Sequence, residues 1–144
     1  MTIAIGSDHA GFLLKKTVID HLKAKGHSIS DMGCYSEERA DYPDHAHAVA
    51  SAVENKDSDF GVLICGSGNG MNMAANKHSG IRSAIAWKEE IAKLARQHND
   101  ANIIALPARF ITEEEALKCV DAFLAEKFEG GRHAARVDKI KINC

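Results

Sequence analysis

Short apolar runs alternate with longer amphipathic segments along this chain, and this alternation predicts the fold. The clearest apolar run is Phe60–Cys65, which is rich in branched residues and is followed by Gly66-Ser67-Gly68-Asn69-Gly70. A run of this length that ends in glycines is typical of a buried parallel strand. The glycines then allow a tight turn that presents backbone N–H groups at the start of a helix.

The rest of the chain repeats this pattern of strand and helix. We predict further strands at Ile3–Gly6, Ser28–Met32, Arg82–Ala86 and Asn102–Leu106. We predict helices at Gly11–Lys25, from Asp41 to Val53, from the glycine turn to Lys77, at Lys88–Gln97, from Thr112 to about Ala125, and at Arg132–Lys141. Such alternation indicates a parallel sheet covered by helices on both faces, as one α/β domain over residues 1–144.

Composition and charge exclude several classes of partner. With 144 residues and a formal net charge of -2, the chain offers no electrostatic case for binding nucleic acid or an anionic membrane. No apolar stretch reaches the length of a membrane span, and the N-terminus lacks the segments of a signal peptide. The four cysteines have no paired spacing, so we expect a reduced, cytoplasmic protein; they are Cys34, Cys65, Cys119 and Cys144.

Reactive side chains follow the predicted strands at their carboxyl ends. Asp8 and His9 follow the first strand, Cys65 ends the strand before the glycines, and Arg109 follows the last strand. These ends share one sheet edge, where ligands bind and where a helix N-terminus favours a thiolate. Simpler interpretations remain open, with Cys65 as a core thiol and Asp8 as a helix N-cap. His98, at the end of a helix, either interacts with the helix dipole or takes part in catalysis.

Basic residues near the C-terminus indicate an anionic ligand. Arg132 and Arg136 lie four residues apart in the predicted last helix, so together they can clamp a phosphate. Arginines usually lie on solvated helix faces, but a helix N-terminus favours acids unless an anion binds there. His45 and His47 have the wrong spacing for one helix face, so we predict no metal site.

Seven short motifs run along almost the whole chain in a fixed order: Gly6-Ser7-Asp8-His9-Ala10-Gly11, Asp41-Tyr42-Pro43, Ile64-Cys65-Gly66-Ser67-Gly68-Asn69-Gly70, Ala74-Ala75-Asn76-Lys77, Arg96-Gln97-His98-Asn99-Asp100-Ala101-Asn102, Arg109 and Glu129-Gly130-Gly131-Arg132-His133. Together they resemble the ribose-5-phosphate isomerase type B family, which also contains galactose-6-phosphate and allose-6-phosphate isomerases. The resemblance implies a Rossmann-like three-layer α/β/α sandwich with a five-stranded parallel sheet and a C-terminal helix. It also implies a homodimer or dimer of dimers with shared active sites, and interconversion of aldose and ketose phosphates without metal or cofactor.

The resemblance further implies catalytic roles. Cys65 would be the thiolate base, His98 the acid that opens the sugar ring, and Ser67 a proton relay between O1 and O2 of the substrate. Other members use a glutamate at the position of Met71, which cannot take a proton, so this chain resembles the cysteine branch. Backbone N–H groups from Gly66 to Gly70 would stabilise the oxyanion of a cis-enediolate. The substrate-binding residues on this interpretation are Asp8, His9, Gly66, Gly68, Asn69, Gly70, Asn99, Arg109, Arg132 and Arg136.

Two alternatives stay open. The substrate could be allose 6-phosphate or galactose 6-phosphate, because the sequence does not measure the distance between the catalytic edge and the arginines. A non-catalytic module that binds a phosphosugar or a nucleotide is the second alternative. Against it, the chain lacks the GxGxxG spacing and the Lys-Ser/Thr of a P-loop, and a binder has no need of Cys65 and His98 together.

Overall fold

The computed structural model describes residues 1–142, so Cys144 lies outside the described residues. Its strands are β1 (Thr2–Ser7), β2 (Ser28–Asp31), β3 (Phe60–Cys65), β4 (Ser83–Ile85) and β5 (Ile103–Pro107). Its helices are α1 (Phe12–Ala24), α2 (Tyr42–Glu54), α3 (Asn69–Ala75), α4 (Glu89–Asn99), α5 (Glu113–Ala125) and α6 (Ala134–Asp138). Two 3-10 turns precede helices, at His9–Gly11 and Gly131–His133.

The five strands form one parallel sheet in the order β2-β1-β3-β5-β4. The strand order reverses between β1 and β3, which lie side by side although β2 separates them in sequence. In open α/β sheets the loops after two such strands diverge and leave a crevice for a ligand. This crevice therefore opens between the loops that follow Ser7 and Cys65.

Helices cover both faces of the sheet, which confirms the predicted three-layer, Rossmann-like sandwich. Buried residues of α1, α4 and α5 pack on one face, and those of α2 and α3 pack on the other. The side chains of β3 divide between these two cores, with Val62 and Ile64 in the first and Leu63 and Cys65 in the second. Strands buried on both faces explain the continuous apolar run in the sequence.

The last helix is shorter than the sequence predicts. We expected a helix from Arg132 to Lys141, but α6 begins only at Ala134. Gly130 and Gly131 have φ angles of +63° and +53°, which an α-helix does not contain, and the 3-10 turn Gly131–His133 takes the place of the predicted start of the helix. Arg132 and Arg136 therefore stand on two different elements rather than on one helix face.

The start of α5 matches the sequence closely. The Thr112 side chain accepts a hydrogen bond from the N–H of Glu115, and the Glu115 carboxylate accepts one from the N–H of Thr112. This reciprocal pair satisfies two backbone donors at the helix start. Among the helices of residues 1–142, none has the length and hydropathy needed to span a membrane.

Candidate active site

The loop after β1 packs tightly against the end of β3. The N–H of Asp8 donates to the carbonyl of Ile64 at 3.2 Å, which brings Asp8 beside Cys65. Any side chain at Gly11 would collide with the same Ile64 carbonyl, so this turn needs glycine. Asp8 is buried, and its Oδ1 accepts from the N–H of Gly11 at 3.1 Å. Asp8 therefore caps the 3-10 turn, and within residues 1–142 its Oδ2 has no hydrogen-bond donor.

His9 lies in the same loop and its tautomer is fixed. Its Nδ1 accepts a hydrogen bond from the backbone N–H of Ala40 at 3.2 Å. A nitrogen that accepts carries no proton, so the neutral ring carries its proton on Nε2. His9 can thus donate from Nε2 into the crevice while the loop before α2 holds its other side.

The glycine turn after Cys65 is fixed from both sides. Cys65 is 4% exposed, and its carbonyl accepts from the N–H of Ala108 at 2.8 Å. The carbonyl of Gly66 accepts from the N–H of Arg109 at 3.0 Å, so the turn is joined to the loop after β5. A Cβ at Gly66 would lie 3.3 Å from Nη1 of Arg109, which puts this exposed guanidinium over the turn. Asp8, Cys65 and Arg109, which the sequence predicted at the carboxyl edge of the sheet, therefore lie close together.

The backbone of this turn requires glycine at two more positions, and several of its N–H groups have no acceptor within residues 1–142. Gly68 has a φ of +80°, and a Cβ at Gly70 would lie 2.6 Å from the Tyr42 ring. The Ser67 hydroxyl is exposed and accepts from the N–H of Asn69 at 3.3 Å. Within residues 1–142, the backbone N–H groups of Gly66, Ser67 and Gly68 donate to no protein acceptor. These donors can meet a negatively charged oxygen.

His98 lies at the opposite, amino edge of the same sheet. It is in the last turn of α4, which runs back from the end of β4 to the start of β5. Arg82, just before β4, donates from Nε to the carbonyl of Asp100 at 2.9 Å, which fixes the end of α4 at this edge. The stretch of β3 from Gly61 to Cys65 alone spans about 13 Å. Within one subunit His98 therefore cannot reach Cys65.

A second cluster surrounds His98. Its ring stacks on that of His133, with centroids 4.1 Å apart and planes inclined by 14°. Oε2 of Glu129 lies 3.5 Å from Nε2 of His133 and 3.9 Å from Nε2 of His98. Burial lowers the pKa of His133, and the positive charges of His98 and Arg132 lower it further. The Nε2 atom of His133 is buried and has no hydrogen-bond partner within the described chain.

This second cluster has the composition of a metal site but not the geometry. Ligand atoms of His98, Glu129 and His133 all lie within 4.8 Å of one another. Imidazole nitrogens bind a metal in the plane of the ring, and two stacked, nearly parallel rings do not direct their lone pairs at one point. A metal would therefore require one ring to leave the stack, and the absence of a metal site stays a prediction.

Cations and an amide complete the second cluster. Arg132 immediately precedes His133, Arg136 follows in α6, and Asn99 follows His98. All three side chains are exposed, and neither arginine forms an ion pair with a carboxylate of residues 1–142. The predicted site residues therefore form two groups. Asp8, His9, Cys65, the glycine turn and Arg109 lie at the carboxyl edge, whereas His98, Asn99, Arg132 and Arg136 lie at the amino edge.

Several polar partners escaped sequence analysis. Glu129 and His133 belong to a recognised motif, but nothing local in the sequence pairs them with His98, more than thirty residues earlier. Another histidine group also appears only in three dimensions. Nδ1 of His47 is 2.9 Å from Nε2 of His78, whose Nδ1 is 3.1 Å from Glu54. His45, which the sequence left unassigned, bonds to the carbonyl of Met32.

Comparisons with known proteins identify the family of this chain. The sequence model of the family described as Ribose/Galactose Isomerase matches residues 3–140. A probable ribose-5-phosphate isomerase B of Mycoplasma genitalium is 50% identical over 140 residues, which cover 96% of this chain and 92% of the relative. A ribose 5-phosphate isomerase structure from Thermotoga maritima has a TM-score of 0.96 and 49% identity, and the match covers 97% of each chain.

Another similar structure was solved with a ligand. It is ribose-5-phosphate isomerase B from Mycoplasma genitalium with bound ribulose-5-phosphate. Its structure matches this one with a TM-score of 0.92 and 50% identity, over 96% of this chain and 93% of that one.

Proposed function

This chain belongs to the ribose/galactose isomerase family, and on that premise we propose that it interconverts ribose 5-phosphate and ribulose 5-phosphate through a cis-enediolate. The observation that carries the proposal is the bound ribulose-5-phosphate of the Mycoplasma genitalium enzyme, which shares half of its residues with this chain. We place the sugar phosphate in the crevice between the loops of Asp8 and Cys65, because ligands of open α/β sheets bind where the strand order reverses.

Cys65 is the proposed base. Its thiolate takes the proton from C2 of the open aldose and later returns it to C1, while Ser67 passes the hydroxyl proton from O2 to O1. The unbonded N–H groups of Gly66, Ser67 and Gly68 support this assignment, because an enediolate needs preorganised donors at its oxygen. Met71 is buried and has no proton-accepting group, so it cannot replace the thiolate. A thiolate base requires a reduced cysteine, which suits the cytoplasm.

His98 is the proposed acid that opens the furanose ring. Ring opening requires a proton at the ring oxygen, and imidazole is well suited to supply it near neutral pH. Oε2 of Glu129 lies 3.9 Å from Nε2 of His98, on the same side of the ring as the atom that would donate the proton. Since His98 and Cys65 lie at opposite sheet edges, the histidine must come from another subunit than the cysteine.

The phosphate and the sugar hydroxyls have candidate partners in both groups. His9 and Arg109 offer donors at the carboxyl edge, and Arg132 and Arg136 offer exposed guanidinium groups at the amino edge. Guanidinium is well matched to phosphate oxygens. Asp8 and Asn99 would hold sugar hydroxyls. Oδ2 of Asp8 has no hydrogen-bond donor within residues 1–142, and the side chain of Asn99 is exposed.

We further propose a homodimer, or a dimer of such dimers, in which each active site combines residues of two subunits. A twofold axis that brings the carboxyl edge of the first subunit against the amino edge of the second also brings the carboxyl edge of the second against the amino edge of the first. Each dimer would then contain two complete sites. A subunit by itself would contain no complete site.

A substrate panel tests the proposed reaction. The purified protein should convert ribose 5-phosphate and ribulose 5-phosphate in both directions, with a higher kcat/KM than for allose 6-phosphate or galactose 6-phosphate. A preference for either six-carbon sugar would favour the alternative substrates. Tight binding without turnover of any of the four would favour a phosphosugar-binding module.

A further inference from the structure

Asp100 ends α4 in an unusual conformation for a residue with a side chain. It directly follows His98 and Asn99 and adopts the left-handed region, with φ +47° and ψ +43°. A helix commonly ends on such a residue, but glycine or asparagine usually occupies the position. An aspartate there is strained, and surrounding contacts must hold it.

Two arginines hold the Asp100 carboxylate, one on each oxygen. Nη1 of Arg96 donates to Oδ1 at 2.9 Å, and Nη2 of Arg82 donates to Oδ2 at 2.9 Å. Hydrogen bonds between ionised groups are among the strongest in proteins, and burial of Arg96 limits screening by water. The carboxylate therefore joins two elements, α4 and the start of β4.

Both arginines are themselves fixed. The Arg96 guanidinium lies 4.9 Å from the centroid of the Phe60 ring and donates to the carbonyl of Ala101 at 2.7 Å. Nε of Arg82 donates to the backbone carbonyls of Asp100 at 2.9 Å and of Asn99 at 3.2 Å. The backbone on both sides of Asn99 is thus tied to rigid parts of the fold.

We propose that Asp100 is a positioning residue, which with Arg82 and Arg96 fixes the turn that presents His98 and Asn99 to the substrate. This inference rests on the proposed function. A simple helix stop needs only a residue that tolerates positive φ, whereas this turn has a carboxylate and two cations that hold it. His98 must work in a site formed with another subunit, so any error in its position adds to errors in subunit docking. A misplacement of 1 Å can lower a catalytic rate by about a hundredfold.

The test is a double-mutant cycle with Asp100→Gly and His98→Asn. Glycine relieves the strained φ but removes the carboxylate, so the turn keeps its backbone conformation without strain and loses its contacts to the two arginines. Lys56→Gly is the matched control, because Lys56 also has a positive φ of +68° and lies in the exposed turn after α2, on the other face of the sheet. Single-turnover ring opening of ribose 5-phosphate is measured for each variant, normalised to folded protein.

We expect Asp100→Gly to slow ring opening by about tenfold or more and Lys56→Gly to leave it unchanged. In a double variant with His98→Asn, the loss of Asp100 should cause almost no further slowing, because its effect acts through His98. Asp100→Asn, which tolerates the left-handed region and keeps one acceptor oxygen, should lose less activity than Asp100→Gly. If the glycine variant does not fold, the asparagine variant takes its place in the cycle.

Independent, multiplied losses in the double variant would overturn the inference, as would a wild-type opening rate in both Asp100 variants. These results leave the proposed isomerase activity intact. A wild-type opening rate in His98→Asn would instead contradict the proposed acid, and the positioning role would fall with it.

Discussion

Cys65 and His98 lie at opposite edges of one parallel sheet. Cys65 is the last residue of β3, and His98 is in the helical turn that leads into β5. The direction of the helices causes this separation, because each helix returns from the carboxyl edge to the amino edge before the next strand begins. Two residues that the proposed reaction requires together are thus kept apart by the fold of a single subunit.

The first prediction concerns the base. Cys65→Ala should lower isomerisation by about a hundredfold or more, since general-base catalysis is worth that much, and should leave binding of ribulose 5-phosphate largely intact. Turnover and calorimetric binding are the measurements. Cys119→Ala is the control, because burial, with Glu115 and Glu89 nearby, raises the pKa of the Cys119 thiol to about 11. Wild-type turnover in Cys65→Ala would refute the base assignment.

A second prediction separates ring opening from proton abstraction. His98→Asn should slow the opening of cyclic ribose 5-phosphate in a single turnover, by about a hundredfold. Exchange of the carbon-bound proton of ribulose 5-phosphate, which has no furanose ring, should slow much less. A similar loss in both steps would mean that His98 acts in the isomerisation itself rather than in ring opening.

The third prediction concerns the phosphate. Arg132→Ala and Arg136→Ala should each raise KM by about tenfold to a hundredfold, because a hydrogen bond to a charged group contributes about 1.5–3 kcal/mol. Inorganic phosphate should inhibit both variants more weakly than it inhibits the wild type. Lys139→Ala is the matched control, an exposed cation that directly follows α6. An equal rise in KM for Lys139→Ala would indicate a general effect of charge.

A fourth prediction follows from the lowered pKa of His133. The folded state disfavours the protonated ring, so the unfolded state binds more protons between the lowered pKa and the ordinary value of 6.5. The free energy of unfolding should therefore rise with pH across that window. Below the lowered pKa the ring is protonated in both states, and the destabilisation of the folded state reaches its full size. His133→Phe keeps a ring on His98 but cannot titrate. Urea unfolding at about pH 5.5 and about pH 8 should show a smaller pH dependence in this variant. An equal pH dependence of the free energy of unfolding in the variant and the wild type would contradict the attribution to His133.

Sequence patterns predicted the sheet and the carboxyl-edge group well. The bounds of β3 match the apolar run, because its ends coincide with an exposed acidic turn and a glycine turn. Strand alternation alone puts Asp8 and Cys65 on one edge. The glycines after Cys65 likewise predicted a tight turn, and Gly68 has the positive φ of such a turn.

The second group was less accessible to sequence analysis. The start of the last helix depends on the φ angles of Gly130 and Gly131, which residue type permits but does not dictate. Two arginines from separate segments donate hydrogen bonds to the carboxylate of Asp100. One of them, Arg82, lies too far away in sequence for any helix or strand pattern to pair it with Asp100. The stack of His98 on His133 likewise joins α4 to a turn that follows α5. Such contacts between distant segments arise only from tertiary packing.

Subunit mixing tests the central claim, that Cys65 of one subunit works with His98 of another. Inactive Cys65→Ala and inactive His98→Asn proteins are mixed in equal amounts, and subunit exchange is verified by native mass spectrometry. Random exchange makes half of the dimers mixed, and each mixed dimer has one intact site of two. We therefore predict recovery of about a quarter of wild-type activity. No recovery despite verified exchange would contradict the shared site.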